Sequence, residues 1–255
     1  MVCVRSAKEY NMNNEFGAVA LTSDSEQSRF LGRTYGWMML ALFISAASAF
    51  VTATALASAL YGGARVSANQ LLLGFGVAAV VEVVLVLWLS ASIRRISVRA
   101  AAIGFVAYSV VNGITLSTIF FVYDITSIAG AFLATALTFG AMSLYGMRTK
   151  RNLNAMGRYL MMGLLGVIVA SLVQFVLSRV MGRPLVLMDM LVSVAIVVIF
   201  TGLTAYDAQK LLRTAHHAVD TNDYRKVSIL AALELYLDFI NILLALLRLF
   251  GRRRD

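Results

Sequence analysis

Acidic side chains inside apolar sequence are the residues of this chain that can do chemistry. Residues 228–250 read SILAALELYLDFINILLALLRLF, long enough to enter or cross a bilayer, yet they carry Glu234, Asp238, Asn241 and Arg248. On a helix turning about 100° per residue, these four positions fall within a stripe roughly 80° wide, which also holds Ala245. Leucines cover the remaining faces. A charged side chain at the bilayer centre costs about 2.5–3.5 kcal/mol on insertion scales. Two acids and an arginine on one face therefore cannot look at lipid. The helix belongs inside a bundle, with its stripe turned to partner groups or water. Two more acids lie in apolar segments: Glu82, and Asp207 in FTGLTAYDAQKLL near the end of the preceding segment.

Asp207 and Asp238 sit on consecutive segments joined by one loop, so their helices are expected to be neighbours. Contact requires Asp238 to lie toward the membrane face that Asp207 approaches. Two carboxylates that meet in a low-dielectric site cannot both stay ionised; they share a proton and titrate as a unit. Sharing the proton holds two helices together, and losing it pushes them apart or recruits a cation. Calcium fits this chemistry, being a hard cation that takes about six to eight oxygens. Asp207 and Asp238 would be its ligands, with Glu234 and Asn241 along the pathway and carbonyls and water completing the shell. No acidic loop resembles an EF-hand, so the site is expected to be weak, as conduction requires.

Blander readings stand beside these. A single acid near a helix end, such as Asp207, more often snorkels or caps, and Glu234 alone could be a packed, protonated acid. The whole set on one stripe favours a functional polar pathway. Glu82 and Arg248 form a natural opposite-charge pair. It reads equally as a gate or as a static buried bridge, which adds little stability.

The elements that position these acids follow from composition. The chain has 255 residues, 60% hydrophobic and 14% charged, with a mean hydropathy of +0.81. Soluble domains carry about 25% charged residues, so this is a polytopic membrane protein. One proline, Pro184, leaves most segments free to run as unbroken helices. A lone Cys3 excludes an intrachain disulfide and a thiolate metal site. His216 and His217 are loop neighbours and make a poor metal pair.

Seven apolar segments, at about 34–61, 70–93, 100–121, 125–145, 159–180, 185–212 and 228–250, each approach the roughly 20 residues that span a hydrocarbon core. Tyr35 and Trp37 would anchor the first at the interface, and Asn112 and Thr115 lie within the third. Short connections predict antiparallel neighbours. Ala46, Ala47, Ala49, Ala53, Gly163 and Gly166 are candidates for close helix approach. Residues 1–33 read as a polar, mobile tail with a short amphipathic approach and no signal-peptide pattern. Residues 34–251 form the seven-helix transmembrane domain, and 252–255 a basic tail.

The net charge of +9 does not indicate nucleic acid, because of how it is distributed. Fifteen of the 22 Lys and Arg residues fall on one side of this topology, and the opposite loops hold only Arg65, Arg179 and Arg183. The N-terminus is therefore expected in the cytoplasm. Seven full crossings put Arg252, Arg253 and Arg254 outside, against the rule; a last segment that enters and returns puts them inside. Seven crossings is the preferred reading.

FTGLTAYDAQKL (200–211) followed by ALELYLDFINILLALLRLFG (232–251) closely resembles the Bax inhibitor-1 family, supported by AFLATALTFGAMSLYGMRTKRNL (131–153). The resemblance covers about residues 30–251, and the short loops are more like a bacterial member than an animal one. It implies an all-α membrane fold, a seven-transmembrane-helix bundle with the C-terminal helix central and wrapped by the other six. It also implies a pH-sensitive calcium leak channel in a bacterial inner membrane. Calcium is the transported ion, no cofactor is implied, and the lipid bilayer is the surrounding partner. By motif position the implied pH sensor is Asp207 with Asp238, and the implied latch is Glu82 with Arg248. An arginine approaching the aspartates would be Arg94 or Arg95, on a helix that no motif anchors. The long loop HHAVDTNDYRK between the aspartates departs from the pattern and puts the loop geometry, not the pair, in question. Animal members are linked to suppression of cell death, a role nothing in these residues shows.

Three rivals use the same acids. Intramembrane aspartyl proteases place a second aspartate in Gly-x-Gly-Asp, but Leu235 and Leu237 occupy the glycine positions here. No enzyme is therefore expected. A proton-coupled carrier for a small solute stays as the alternative, although the segments show no half-helix pair broken by Gly or Pro of the kind carriers often use. A non-transporting regulatory partner of membrane proteins would use the acids only to hold the bundle together.

Overall fold

The computed structural model describes residues 2–62, 67–93, 95–183, 185–215 and 222–252, with the side chains of the first helix described from Ser25. Arg65, Arg94, Pro184, His216, His217, Arg253 and Arg254 lie outside the described residues. In hydrocarbon every backbone polar group must be satisfied within the chain, so apolar runs with few breakers become helices. Their order is α1 (Val2–Tyr61), α2 (Ala68–Ser92), α3 (Val98–Leu116), α4 (Ile119–Val122), α5 (Ile125–Arg148), α6 (Asn154–Met181), α7 (Val186–Ala215) and α8 (Asn222–Phe250). Among the described residues, seven stretches are long and apolar enough to cross a membrane. The fold is all-α, as the hydropathy required.

Two details differ from the segment reading. The third segment is not continuous: α3 stops at Leu116 and the four-residue α4 follows. Ser117 Oγ donates to the Ile114 carbonyl at 2.6 Å and Thr118 Oγ1 to the Thr115 carbonyl at 2.8 Å. Such back-bonding competes with the helical ladder at this point. The helices also start earlier than the apolar runs. α1 is helical from Val2, through the stretch expected as a mobile tail, and α6 from Asn154, because hydropathy marks the hydrocarbon, not the end of the helix.

α8 is unbroken and does not return. Its far end meets the α4–α5 junction, where the Arg252 N–H donates to Ser127 Oγ at 3.0 Å and the Asp124 N–H to the Arg252 carbonyl at 3.2 Å. It is also the best-covered helix: 61% of its most apolar window is buried, against 0% for α2 and for α6. α8 touches α7, α1, α5 and α3 directly, while α2 and α6 pack chiefly on α3 and α7. Contact of α8 with all six other spans, as the resemblance implies, is therefore not what the principal contacts give.

Without a hydrophobic force between helices in lipid, close approach depends on small residues. Ala49 and Ala53 are buried in contacts, but Ala46 and Ala47 are exposed and Gly166 faces open space. The tight crossings use other glycines. A Cβ on Gly113 would come within 2.5 Å of the Ser45 carbonyl on α1, and one on Gly146 would run into the Ala205 carbonyl on α7.

Candidate functional site

The motif AYDAQK on α7 gives each of its residues a different task. Ala205 and Ala208 have no exposed surface, and Ala205 is where α5 closes on α7 through Gly146. The Tyr206 ring covers Gly157 of α6, where a Cβ would come within 2.6 Å of the ring. Gln209 is buried and ties down the α5–α6 connection. Its Oε1 accepts from the Leu153 N–H at 3.0 Å and its Nε2 donates to the Arg151 carbonyl at 2.8 Å. Arg213, one turn on, donates to Gln209, to Asn154 Oδ1 at 2.8 Å and to Asn152 Oδ1 at 3.1 Å. These contacts fix the end of α7 at which Asp207 lies.

Asp207 and Asp238 are 8% and 3% exposed, and each carboxylate lies within electrostatic reach of Glu234 and Lys210. Asp238 also feels the charge of Asp207 and lies beside Thr204. The Thr204 hydroxyl already donates to the Phe200 carbonyl at 2.8 Å, so its oxygen is left to accept a hydrogen bond, which Asp238 can donate only when protonated. Lys210 Nζ grips both oxygens of Glu234, at 3.0 and 2.9 Å. Asp207, Lys210 and Glu234 line a cavity of about 60 Å³ roofed by Phe30 of α1 and by apolar residues of α7 and α8. No group of three His, Cys, Asp or Glu that could hold a metal occurs among the described residues.

Buried polar atoms are normally paired. Among the described residues, three buried side-chain polar atoms have no hydrogen-bond partner: Asp238 Oδ2, Ser193 Oγ and Thr201 Oγ1. All three belong to α7 or α8. Ser193 lies about 21 Å from Asp207 along α7 and Thr201 is turned about 120° away from it around the helix, so the two hydroxyls are separate from the acid cluster.

Glu82 is in a different setting. Asn112 Nδ2 donates to it at 3.3 Å and Thr115 Oγ1 at 2.5 Å. Asn112 Oδ1 accepts from Tyr236 Oη at 2.7 Å. Tyr236 Oη lies 2.7 Å from Ser45 Oγ, which donates to the Ser109 carbonyl at 2.7 Å. One polar chain thus joins α2, α3, α8 and α1. Arg248 is not in it: its side chain is exposed and its Nε donates to the Leu244 carbonyl at 3.3 Å. Along α8, Arg248 lies about 18 Å beyond Tyr236.

The structure therefore gathers Asp207, Asp238 and Glu234, and separates Glu82 from Arg248. Asn241 bonds its own helix, Nδ2 to the Leu237 carbonyl at 2.8 Å. Arg95 is exposed in the α2–α3 turn and is not among the charges acting on either aspartate. The cation beside the aspartates is Lys210, one of the fifteen basic residues on the side expected to be cytoplasmic. Its signal was the spacing of AYDAQK: three residues on from Asp207 puts Lys210 on the same helix face. Tyr236 and Ser45 gave no sequence signal, since a hydroxyl inside an apolar run looks like packing.

A helical bundle with seven candidate spans among the described residues, and buried acids on its last two helices, defines a multi-pass membrane protein. The family model described as inhibitor of apoptosis-promoting Bax1 matches residues 27–255. The chain is 43% identical over 227 residues to the inner membrane protein YbhL of Escherichia coli K12, covering 88% of this chain and 92% of that one. It is 37% identical over 244 residues to an uncharacterized protein of Borreliella burgdorferi, covering 93% and 99%. An uncharacterized protein of Deinococcus radiodurans is 37% identical over 227 residues, covering 89% and 91%. The chain belongs to the Bax inhibitor-1 family.

Proposed function

We propose that this protein is a pH-sensitive calcium leak pathway in a bacterial inner membrane, with its N-terminus in the cytoplasm. The switch is a proton shared by Asp207 and Asp238 between α7 and α8. One observation carries this reading. The unpartnered buried polar atoms among the described residues all lie on the two helices that hold the buried acids. A static scaffold has no use for polar atoms left unpaired at a cost of about 1–3 kcal/mol each, whereas a path for water and cations does. With the proton shared, the two carboxylates hold α7 against α8. With the proton lost, like charges in a low-dielectric site separate or recruit a cation. Calcium is the substrate, bound weakly by Asp207 and Asp238 with carbonyls and water; no cofactor and no enzymatic step is invoked. The inner-membrane assignment follows the relative YbhL, and the orientation follows the positive-inside count.

The test is calcium flux into liposomes that carry only the purified protein, at about pH 6, 7 and 8. Asp207→Asn and Asp238→Asn are each expected to abolish the pH dependence, because an amide cannot share the proton. A wild-type pH response in both variants would remove the sensor, and absence of flux at every pH would remove the leak.

A further inference from the structure

Among the described residues, Asp207, Glu234 and Asp238 are gathered between α7 and α8 beside Lys210. Asp207, Glu234 and Asp238 act on one another, and Lys210 is the cation that acts on Asp207 and Asp238. Lys210 Nζ takes both oxygens of Glu234, at 3.0 and 2.9 Å. It lines the same cavity of about 60 Å³ as Asp207 and Glu234, to which α1 contributes Phe30 and no charge. That volume holds a few waters. The Lys210 side chain is 48% exposed, and its four-carbon stem lets the ammonium leave the cavity without moving α7. Deeper in the bundle, Asp238 Oδ2 has no partner. It is the oxygen that a proton or a cation has to satisfy.

We propose that the Lys210 ammonium is a tethered counter-ion for the α7–α8 carboxylates, so that a diffusing cation enters by displacing it. The transport consequence rests on the leak reading above; the displacement itself does not require transport. A tethered cation differs from a simple salt-bridge lock in a way that can be measured. A lock opens when either partner is lost. A tethered cation makes the two partners opposite. Lys210→Met removes the competitor and leaves the acids free to recruit calcium. Glu234→Gln releases the ammonium to turn inward onto Asp207 and Asp238, where it obstructs the site more firmly. Lys210→Arg keeps the charge, so its flux is expected to stay well below that of Lys210→Met.

Two measurements test this on the full-length protein. Calcium flux in liposomes at about pH 8 is expected to rise several-fold in Lys210→Met and to fall below wild type in Glu234→Gln. A rise in both variants would overturn the tethered cation in favour of a lock. The second readout is the melting temperature in detergent at the same pH, with and without millimolar calcium. Lys210→Met is expected to melt several degrees below wild type and to recover with calcium, while wild type gains much less from it. A Lys210→Met protein whose melting is indifferent to calcium would overturn the proposal even if the wild type leaks calcium. Conversely, calcium rescue of Lys210→Met in a protein that carries no flux would retain the counter-ion and discard the leak.

Discussion

Glu82 and Asp238 are both acids within the bundle, and their surroundings are opposites. Glu82 is held by two neutral donors, Asn112 and Thr115, in a chain that continues to Tyr236 and Ser45. Asp238 lies among like charges, with one oxygen unpartnered. Tyr236 and Asp238 are two residues apart on α8, yet one belongs to a satisfied brace and the other to an unsatisfied cluster. A satisfied polar network specifies packing; an unsatisfied one stores a response to protons or ions. The first should govern stability and the second the pH response, and each can be broken without the other.

The largest expected effect is on the brace. Tyr236 has no exposed surface and its ring meets Phe105 and Tyr108 edge-on, at centroid distances of 5.9 and 5.8 Å. Tyr236→Ala removes that packing and orphans Asn112 Oδ1, so a loss of about 3–5 kcal/mol is expected. Thermal melting in detergent would show it. The flux that survives in folded protein should keep its pH response. Asp238→Asn should do the reverse: melting close to wild type and no pH response. If Tyr236→Ala also erased the pH response, the two regions would be one network and the division would fail.

Gly146→Ala should come next. The added Cβ meets the Ala205 backbone, which cannot rotate away, so α5 and α7 must separate. Overpacking of this kind costs about 1–3 kcal/mol. Because Ala205 lies two residues from Asp207, this variant should lower the melting temperature and alter the flux together, unlike either variant above. Gln209→Ala is expected to cost about 1–2 kcal/mol, since the buried Leu153 N–H loses its acceptor. Its mark is local: faster amide exchange over residues 149–153, with α8 unchanged.

The division was only half visible in the sequence. The seven spans were legible because apolar runs of about 20 residues admit few other readings. The acid cluster was legible because ionisable residues are expensive in hydrocarbon. What periodicity could not supply was height. Glu234, Asp238, Asn241 and Arg248 share a stripe, but the stripe is about 21 Å long. Its upper part meets Lys210 and Asp207, while Arg248 lies at the far end, exposed, on its own helix's carbonyl. An angular pattern says which way a residue points and nothing about which neighbour lies opposite. The break between α3 and α4 was hidden for a similar reason: Ser117 and Thr118 are apolar enough to sit in a span, and their back-bonds depend on local geometry.

The smallest expected effect is therefore at Arg248, which the sequence offers with Glu82 equally as a gate or as a static bridge. Charge complementarity makes the pair attractive, but helix rise places Arg248 about 18 Å from the residue of α8 that reaches the Glu82 network. Glu82 already accepts two hydrogen bonds and Arg248 is exposed. Arg248→Ala should change stability by less than about 0.5 kcal/mol and leave basal leak at the wild-type level. Glu82→Gln keeps acceptor capacity toward Asn112 and Thr115, and should cost more than Arg248→Ala but far less than Tyr236→Ala. The double variant should equal the sum of the single ones, since sites without shared partners add within about 0.3–0.5 kcal/mol. A coupling above about 1 kcal/mol, or a leak raised equally by both single variants, would mean that the bundle visits a second arrangement. In that arrangement α8 slides by several turns and the latch closes. The brace would then be a moving part, and the contrast between the two regions would describe one state of the protein and not the whole of its cycle.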